Sequence, residues 1–511
     1  MDNHTTTTIN RRRFLTVAGI GAASAFLASC GVAGGDAEKA KAALQVCFAQ
    51  PITDLDPLSA NTTVDEPALM ARRLIFDTLV RRQGDTYAPA LAKSWTRPDP
   101  QTWVFELRDD VTFHDGTKLT ADDVVASIKK ATSKTTNLSA LWASVKSAEA
   151  TGPTTVTVRT DGPLGTLLVN LTLLFIPPGN RLDDPEFFRK PVGSGPFRVD
   201  SFAPSSKLRL VKADRYWGEA AKSPAIDLPY IPETSTAITS LLTGAVDAFW
   251  PVPPDQVRDV AGKSGVKVER VPSYVYFLNW FNCSRKPFTD PRVRRAMWHA
   301  VDIGNIIRDL YGESATVMDA PIPSTVFGAA PQQPYAYDPT RARQLLAEAG
   351  LASGFTTSMM WFATSGPLIS QLAQSMIASW AKVGIIVEAQ QVEKATWLER
   401  LNKLDWDMDL QTNTVTTGDA DFTLGRLYTS KANRMGYRNP ALDELLAKAR
   451  GSSDQAERKA LYAQACKTIW DDAVGIFPAT ITTAYAVRDT VRGFTPVPSN
   501  QPDLSTVLMG G

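Results

Sequence analysis

The chain has 511 residues, 44% hydrophobic and 21% charged, with 54 basic residues against 53 acidic. That is the composition of a folded protein of two or three domains, and it excludes a largely disordered chain. A charge balance this close to zero lacks the basic face that neutralises phosphates, so no nucleic-acid partner is expected.

Residues 1–30 read as an address and an anchor. Arg11-Arg12-Arg13-Phe14-Leu15 opens a small-residue apolar run that ends at Leu27-Ala28-Ser29-Cys30. Paired arginines before Phe-Leu resemble a twin-arginine export signal, and Leu-Ala-Ser-Cys resembles a lipobox. The reading is a signal peptide over 1–29 and a diacylglyceryl anchor on Cys30. Phe14 to Ser29 is shorter than the roughly 20 apolar residues of a spanning helix. Residues 30–43, small and then charged, form a flexible tether. Two acyl chains hold a protein on a bilayer durably, so the expected location is extracytoplasmic, on the outer face of the cytoplasmic membrane. With Cys30 given to lipid, Cys47, Cys283 and Cys466 remain, an odd and scattered set. Buried free thiols are expected rather than a disulfide framework.

The body opens with strand-like alternation in Leu44-Gln45-Val46-Cys47-Phe48, a turn at Leu55-Asp56-Pro57, and apolar residues at helical spacing from Leu69 to Leu79. Trp103 to Arg108 alternates again, and Asp115-Gly116 is a turn pair. Thr120 is placed as a helix N-cap, with Asp122 and Asp123 favoured in the first turn by the helix dipole. Gly193-Ser194-Gly195-Pro196 reads as a tight turn before a strand. Asp290 caps the next helix and Pro291 takes its first position, where no backbone donor is lost. Val293, Ala296, Met297, Ala300 and Val301 share its buried face, which leaves Arg292, Arg294 and Arg295 toward solvent. Asp338-Pro339 and Asn439-Pro440 repeat that start, and Leu442, Leu445 and Leu446 give the last of these helices a buried stripe. Asp405-Trp406-Asp407-Met408-Asp409 reads as an edge strand with its carboxylates on a wet face. Its flanks supply no further metal-ligand pattern.

Strands alternating with helices make the chain a mixed α/β protein. Several motifs also stand in a familiar order: Phe76-Asp77-Thr78-Leu79-Val80, Pro89 to Trp95, Phe113-His114-Asp115-Gly116-Thr117, Gly193 to Phe197, Thr243 to Asp247, Asn282 with Pro287 to Ala296, and Gly436 to Asp443. From about residue 44 to about 490 the sequence resembles the large extracytoplasmic solute-binding proteins of family 5, which serve peptide, nickel and opine ABC importers. The resemblance implies a two-lobed periplasmic-binding-protein-like fold of the type II, large peptide-binder class. Lobe I would hold 44–277 and 481–511 with an inserted subdomain over about 80–190, and lobe II would hold 278–480. It also implies a monomer that hands its ligand to a membrane permease and ATPase.

An enzyme is the rival class. Beyond the leader the chain has two histidines, His114 and His299, both inside motifs with structural explanations, and no His-Glu-x-x-His, Cys-x-x-Cys or Gly-x-Ser-x-Gly occurs. No catalytic residue, cofactor or resident metal is therefore expected. By resemblance to peptide binders, Asp419 would meet a ligand ammonium, with Asp421 beside it. The upstream tryptophan of that pattern is replaced here by Asn413-Thr414. Phe249, Trp250, Tyr274, Tyr276, Asn279 and Trp280 are candidate wall residues, since aromatic walls accept varied side chains. Arg434 and Arg438 are candidates for a ligand carboxylate, and Asp65 and Glu66 for lobe I contacts. Short peptides are the expected ligand and a nickel chelate or opine-like solute the alternative, although no histidine follows His299 and imidazole is a favoured nickel ligand.

Overall fold

The computed structural model describes residues 43–58, 66–133, 139–362 and 367–510. The expected signal peptide, Cys30, most of the expected tether and Asp65 lie outside the described residues.

Strands in the first half are β1 (Leu44–Cys47), β2 (Val80–Gln83), β3 (Thr86–Pro89), β4 (Ala92–Asp99), β5 (Thr102–Leu107), β6 (Val145–Gly152), β7 (Thr155–Thr160), β8 (Phe197–Ala203), β9 (Lys207–Lys212), β10 (Ala225–Pro229) and β11 (Ala248–Val252). The rest are β12 (Val266–Phe281), β13 (Ala315–Val317), β14 (Phe355–Phe362), β15 (Ile385–Val392), β16 (Met408–Thr414), β17 (Gly475–Ile476) and β18 (Ala479–Arg488), besides a short terminal pair. One 12-stranded sheet runs in the order β15-β14-β16-β12-β18-β11-β1-β10-β9-β8, with β13 and β17 paired to its middle strands. Strands β4, β5, β7 and β6 form a separate antiparallel sheet.

Two large cores share the long sheet. One gathers residues from Leu44 to Trp250 with Tyr485 to Val507, flanked by a smaller cluster around Phe249 and Ala486. The other is drawn wholly from Tyr276 to Ala479. A further core, from Leu58 to Leu182, lies under the four-stranded sheet. We call the first body lobe I, the second lobe II, and the third the inserted subdomain. The chain passes between the lobes along β12 and returns along β18. The register of β12 on β18 shifts between Pro272 and Tyr276, and Val271 packs on the lobe I core while Tyr274 packs on that of lobe II.

Local chemistry accounts for most element boundaries. Asp290, Asp338 and Asn439 each accept a backbone N–H of the first turn, with proline next in line. Asp123 accepts the N–H of Thr120 at 2.8 Å, holding the start of Ala121–Thr132. The helix expected over Leu69–Leu79 is Glu66–Ile75; Thr78 leaves it to bridge Phe175. The turn at Gly193-Ser194-Gly195 is a close backbone approach: a Cβ on Gly193 or Gly195 would strike the Ile75 backbone. His114 completes that packing, with Nδ1 accepting from Gly193 N at 3.1 Å and Nε2 2.9 Å from Gly195 O.

Two expectations are corrected. Arg292, Arg294 and Arg295 do not share a solvated face. Arg294 is buried and donates to Phe288 O and Asp472 O, and Arg295 donates to Asp471 O, so both cap carbonyls at the end of the helix Gln455–Asp471. The Asp405–Asp409 stretch is not a wet edge. β16 lies between β14 and β12, so Trp406 and Asp409 are buried, while Asp407 accepts from the Ser358 N–H and hydroxyl.

Candidate ligand cleft

In lobe II, β14 runs parallel to β15 and to β16. Crevices of open α/β sheets form beyond the carboxyl ends of such strands. Beyond β16 come a turn over residues 415–419, which carries Asp419, and the π-helix Asp421–Gly425, which opens with Asp421. Asn413, near the end of β16, donates to Tyr276 Oη at 3.1 Å and approaches Thr423 Oγ1 at 3.4 Å.

This edge of lobe II meets lobe I and its inserted subdomain directly. Arg82 Nη1, on β2, donates to Thr417 O at 2.5 Å. Lys459 Nζ lies 2.6 Å from Asp85 Oδ2, and Arg97 Nη2 donates to Gly451 O at 2.9 Å. The amides of Gly165 and Thr166 both donate to Arg450 O, at 2.8 and 3.2 Å. The two bodies thus touch directly along this seam. Gly418 makes this approach possible: its φ is +65°, and a Cβ there would come within 2.6 Å of Tyr274 Oη and 2.5 Å of Arg82 Nη1.

Asp419 is buried and already paired. Its Oδ1 accepts from Arg458 Nη2 at 2.7 Å and from Asp421 N at 3.0 Å, and both charged side chains are 1% exposed. Arg458 also lies over the rings of Phe327 and Tyr462, 4.9 and 5.4 Å from their centroids, and donates to Tyr462 Oη at 3.3 Å. Tyr87 stands on β3; burial and then the Asp419 charge push its phenol up, with Arg458 opposing. Asp421 pairs with Arg450 at 3.1 Å. Burial pushes its carboxyl up, and the Arg450 charge opposes that rise.

The other expected residues are dispersed. Phe249 and Trp250 lie in the lobe I interior, because β11 is paired on both edges, by β1 and β18. Trp250 packs on Phe48 and Tyr485 and donates to Asn500 O, so neither ring lines the cleft. Tyr276, Asn279 and Trp280 are equally buried inside lobe II; Trp280 donates to Tyr428 Oη, while the Asn279 side-chain amide finds no hydrogen-bond partner among the described residues. Tyr274 is half-buried beside Gly418. Glu66 accepts from Asn500 Nδ2 at 2.8 Å, Arg434 donates to Asn402 Oδ1 at 3.2 Å, and Arg438 is exposed. The structure therefore brings Asp419, Asp421 and Tyr274 to the lobe interface and adds Arg82, Tyr87 and Arg458. None of these three carried a local sequence signal, since each acts on a partner distant in the chain. Among the described residues no group of three or more His, Cys, Asp or Glu is placed to hold a metal ion.

A sheet that passes twice between two cores, with strand ends turned to the seam where they close, defines a two-lobed solute-binding protein. The chain belongs to the bacterial extracellular solute-binding proteins, family 5: the model described as family 5 Middle matches residues 86–434, more than half of its length. It is similar to the glutathione-binding protein GsiB of Escherichia coli K12, 26% identical over 473 residues that cover 89% of this chain and 90% of the relative. Among solved structures it resembles the Helicobacter pylori periplasmic binding protein DppA in complex with the peptide STSA, with 28% identity, a TM-score of 0.77, and 92% and 98% of the two chains covered. A nickel ABC transporter structure from Bacillus halodurans aligns with 25% identity and a TM-score of 0.76 over 92% and 100%. The protein is thus the solute-binding component of an ABC importer and not an enzyme. No helix among the described residues is long and apolar enough to cross a membrane.

Proposed function

We propose that the protein captures short peptides or peptide-like solutes between its lobes and delivers them to a membrane permease and ATPase, while held to the membrane by lipid on Cys30 after twin-arginine export. The observation that carries the reading is the near full-length likeness to a binding protein whose structure holds the tetrapeptide STSA. The curated glutathione-binding relatives, which also take a small peptidic ligand, support it. The seam between the lobes suits capture, because its contacts form only when the lobes meet.

A ligand that binds only the folded, closed protein stabilises it by RT ln(1 + [L]/Kd), about 2.7 kcal/mol at a hundredfold excess over Kd. A melting screen of di- to pentapeptides, glutathione, opines, nickel chelates and sugars is expected to show shifts with peptides, with mass spectrometry identifying any co-purified ligand. Shifts with sugars alone would sink the reading. Likeness to the nickel transporter structure favours a chelate as the second reading, and a shift confined to nickel chelates would select it.

A further inference from the structure

The helix Pro440–Gly451 of lobe II ends against the inserted subdomain, and its last carbonyls show how the two are joined. An α-helix leaves its final four carbonyls without donors from its own residues. Here Lys448 O accepts from the Ser452 N–H and Ala449 O from Arg458 Nε at 3.3 Å, both inside lobe II. The other two are met from the inserted subdomain. Arg450 O accepts from the Gly165 and Thr166 amides, and Gly451 O from Arg97 Nη2. Trp103 supports both sets of donors: its Nε1 donates to Leu164 O at 3.1 Å, and its ring lies 5.2 Å from Arg97 Cζ. Two glycines admit the contact. A Cβ on Gly165 would fall on Ser452 O, and one on Gly451 would come within 3.2 Å of Pro163 Cβ.

Arg450 also reaches toward the cleft. Its Nε donates to both oxygens of Asp421, at 3.1 and 3.2 Å, and Asp421 opens the π-helix that follows Asp419. Single π-helical turns are rare and cluster at functional sites. Gly425, the last residue of this one, leaves room for the pair, since a Cβ there would crowd Asp421 Oδ1 and Arg450 Nη2. One residue therefore holds the cleft edge by its side chain and the inserted subdomain by its carbonyl.

We propose that this contact is a clasp that sets how often lobe II parts from the inserted subdomain, with Arg450 as the positioning residue that passes the state of the Asp421 π-helix across the seam. The clasp does not depend on what the cleft takes, so it stands or falls separately from the peptide reading. Such coupling is reciprocal: a disturbance at either end must be felt at the other.

Hydrogen–deuterium exchange of the purified protein without added solute, resolved to single amides, tests this. Gly165 and Thr166 donate across the seam, whereas Thr160 and Asp161 donate to Gln101 O and Ser144 O inside the subdomain. In the unaltered protein all four are expected to exchange at least about tenfold more slowly than free amides. Arg450→Gln keeps the carbonyl but loses the ion pair with Asp421. It is expected to speed exchange at Gly165 and Thr166 about threefold or more and to leave Thr160 and Asp161 within about twofold. Gly165→Ala disturbs the clasp from the subdomain side. It is expected to speed exchange of the Asp421 amide, which donates to Asp419 Oδ1 in lobe II, by a similar factor. If Arg450→Gln exposes Thr160 and Asp161 as well, that variant has lost its fold and Gly165→Ala decides. Effects confined to the body that carries the substitution would overturn the proposal, as would free exchange of Gly165 and Thr166 in the unaltered protein.

Discussion

Arg458 determines how Asp419 behaves, although 39 residues separate them. The Gly-Asp step is visible in the sequence; the arginine that covers it sits on a helix whose own spacing says only that one face is buried. Removing one member of a buried ion pair strands the other, so Asp419→Asn is expected to lower stability by roughly 3–5 kcal/mol. Urea unfolding checks this, and a loss below about 1 kcal/mol would show that Arg458 finds other partners. Asp409 is the contrasting carboxylate. It is fully buried, accepts from Trp397 Nε1 at 2.7 Å and Gln411 Nε2 at 2.5 Å, and is paired with no cation among the described residues; burial pushes its carboxyl up to about 7. An unfolded aspartate titrates near 4, so between about pH 4 and 7 the folded chain holds a proton that the unfolded chain has released. The contribution of this group to stability is therefore greatest below that window and is lost as pH rises through it. Relative to Asp409→Asn, the unaltered protein should gain melting temperature from pH 8 to pH 5; a constant difference would refute the assignment. Cys47 and Cys466 are buried free thiols, each pushed up to about 12 chiefly by burial. Both are expected to resist alkylation until the protein unfolds.

At the level of elements, caps and turns were readable because their chemistry is local. Asp290-Pro291, Asp338-Pro339 and Asn439-Pro440 start helices in the structure as their residues imply. What sequence could not give was which face or edge another element would cover. The alternation of Asp405 to Asp409 reads as a half-wet strand, yet pairing on both edges makes β16 internal. Arg294 looks like a surface residue until the helix Gln455–Asp471 ends against it. The turn at Gly418 offers the sharpest test of the seam. Gly418→Ala would meet left-handed backbone, at roughly 1 kcal/mol, and would crowd Arg82 and Tyr274. Because the crowding of Arg82 arises only where the lobes meet, while that of Tyr274 lies within lobe II, the variant is expected to bind ligand several-fold more weakly, on the order of 1 kcal/mol, with each lobe still folded. Unchanged affinity in calorimetry would show that the lobes close less tightly with ligand in place.

At the scale of the whole molecule, the two-lobed class was legible through the joint order of many small motifs, none of which is specific alone. The proposed lipid anchor on Cys30 belongs to this scale too. A receptor held at the membrane meets its permease at a raised effective concentration. Cys30→Ala is expected to leave ligand binding intact and to release protein from the membrane fraction or leave it unprocessed. A correctly processed, membrane-bound variant would rule the anchor out. The second passage of the chain has a consequence for assembly. β18 lies between β11 of lobe I and β12, yet it is made of Ala479–Arg488, after all of lobe II has been synthesised. Lobe I must therefore wait with an unfilled place in the middle of its sheet, and its folding is set by contacts of very long sequence separation, the slow and aggregation-exposed kind. A chain ending near residue 470 would lack β18, which joins β11 to β12, together with the short terminal strand pair and the Tyr485–Val507 part of the lobe I core, and it is expected to stay soluble only with a chaperone's help.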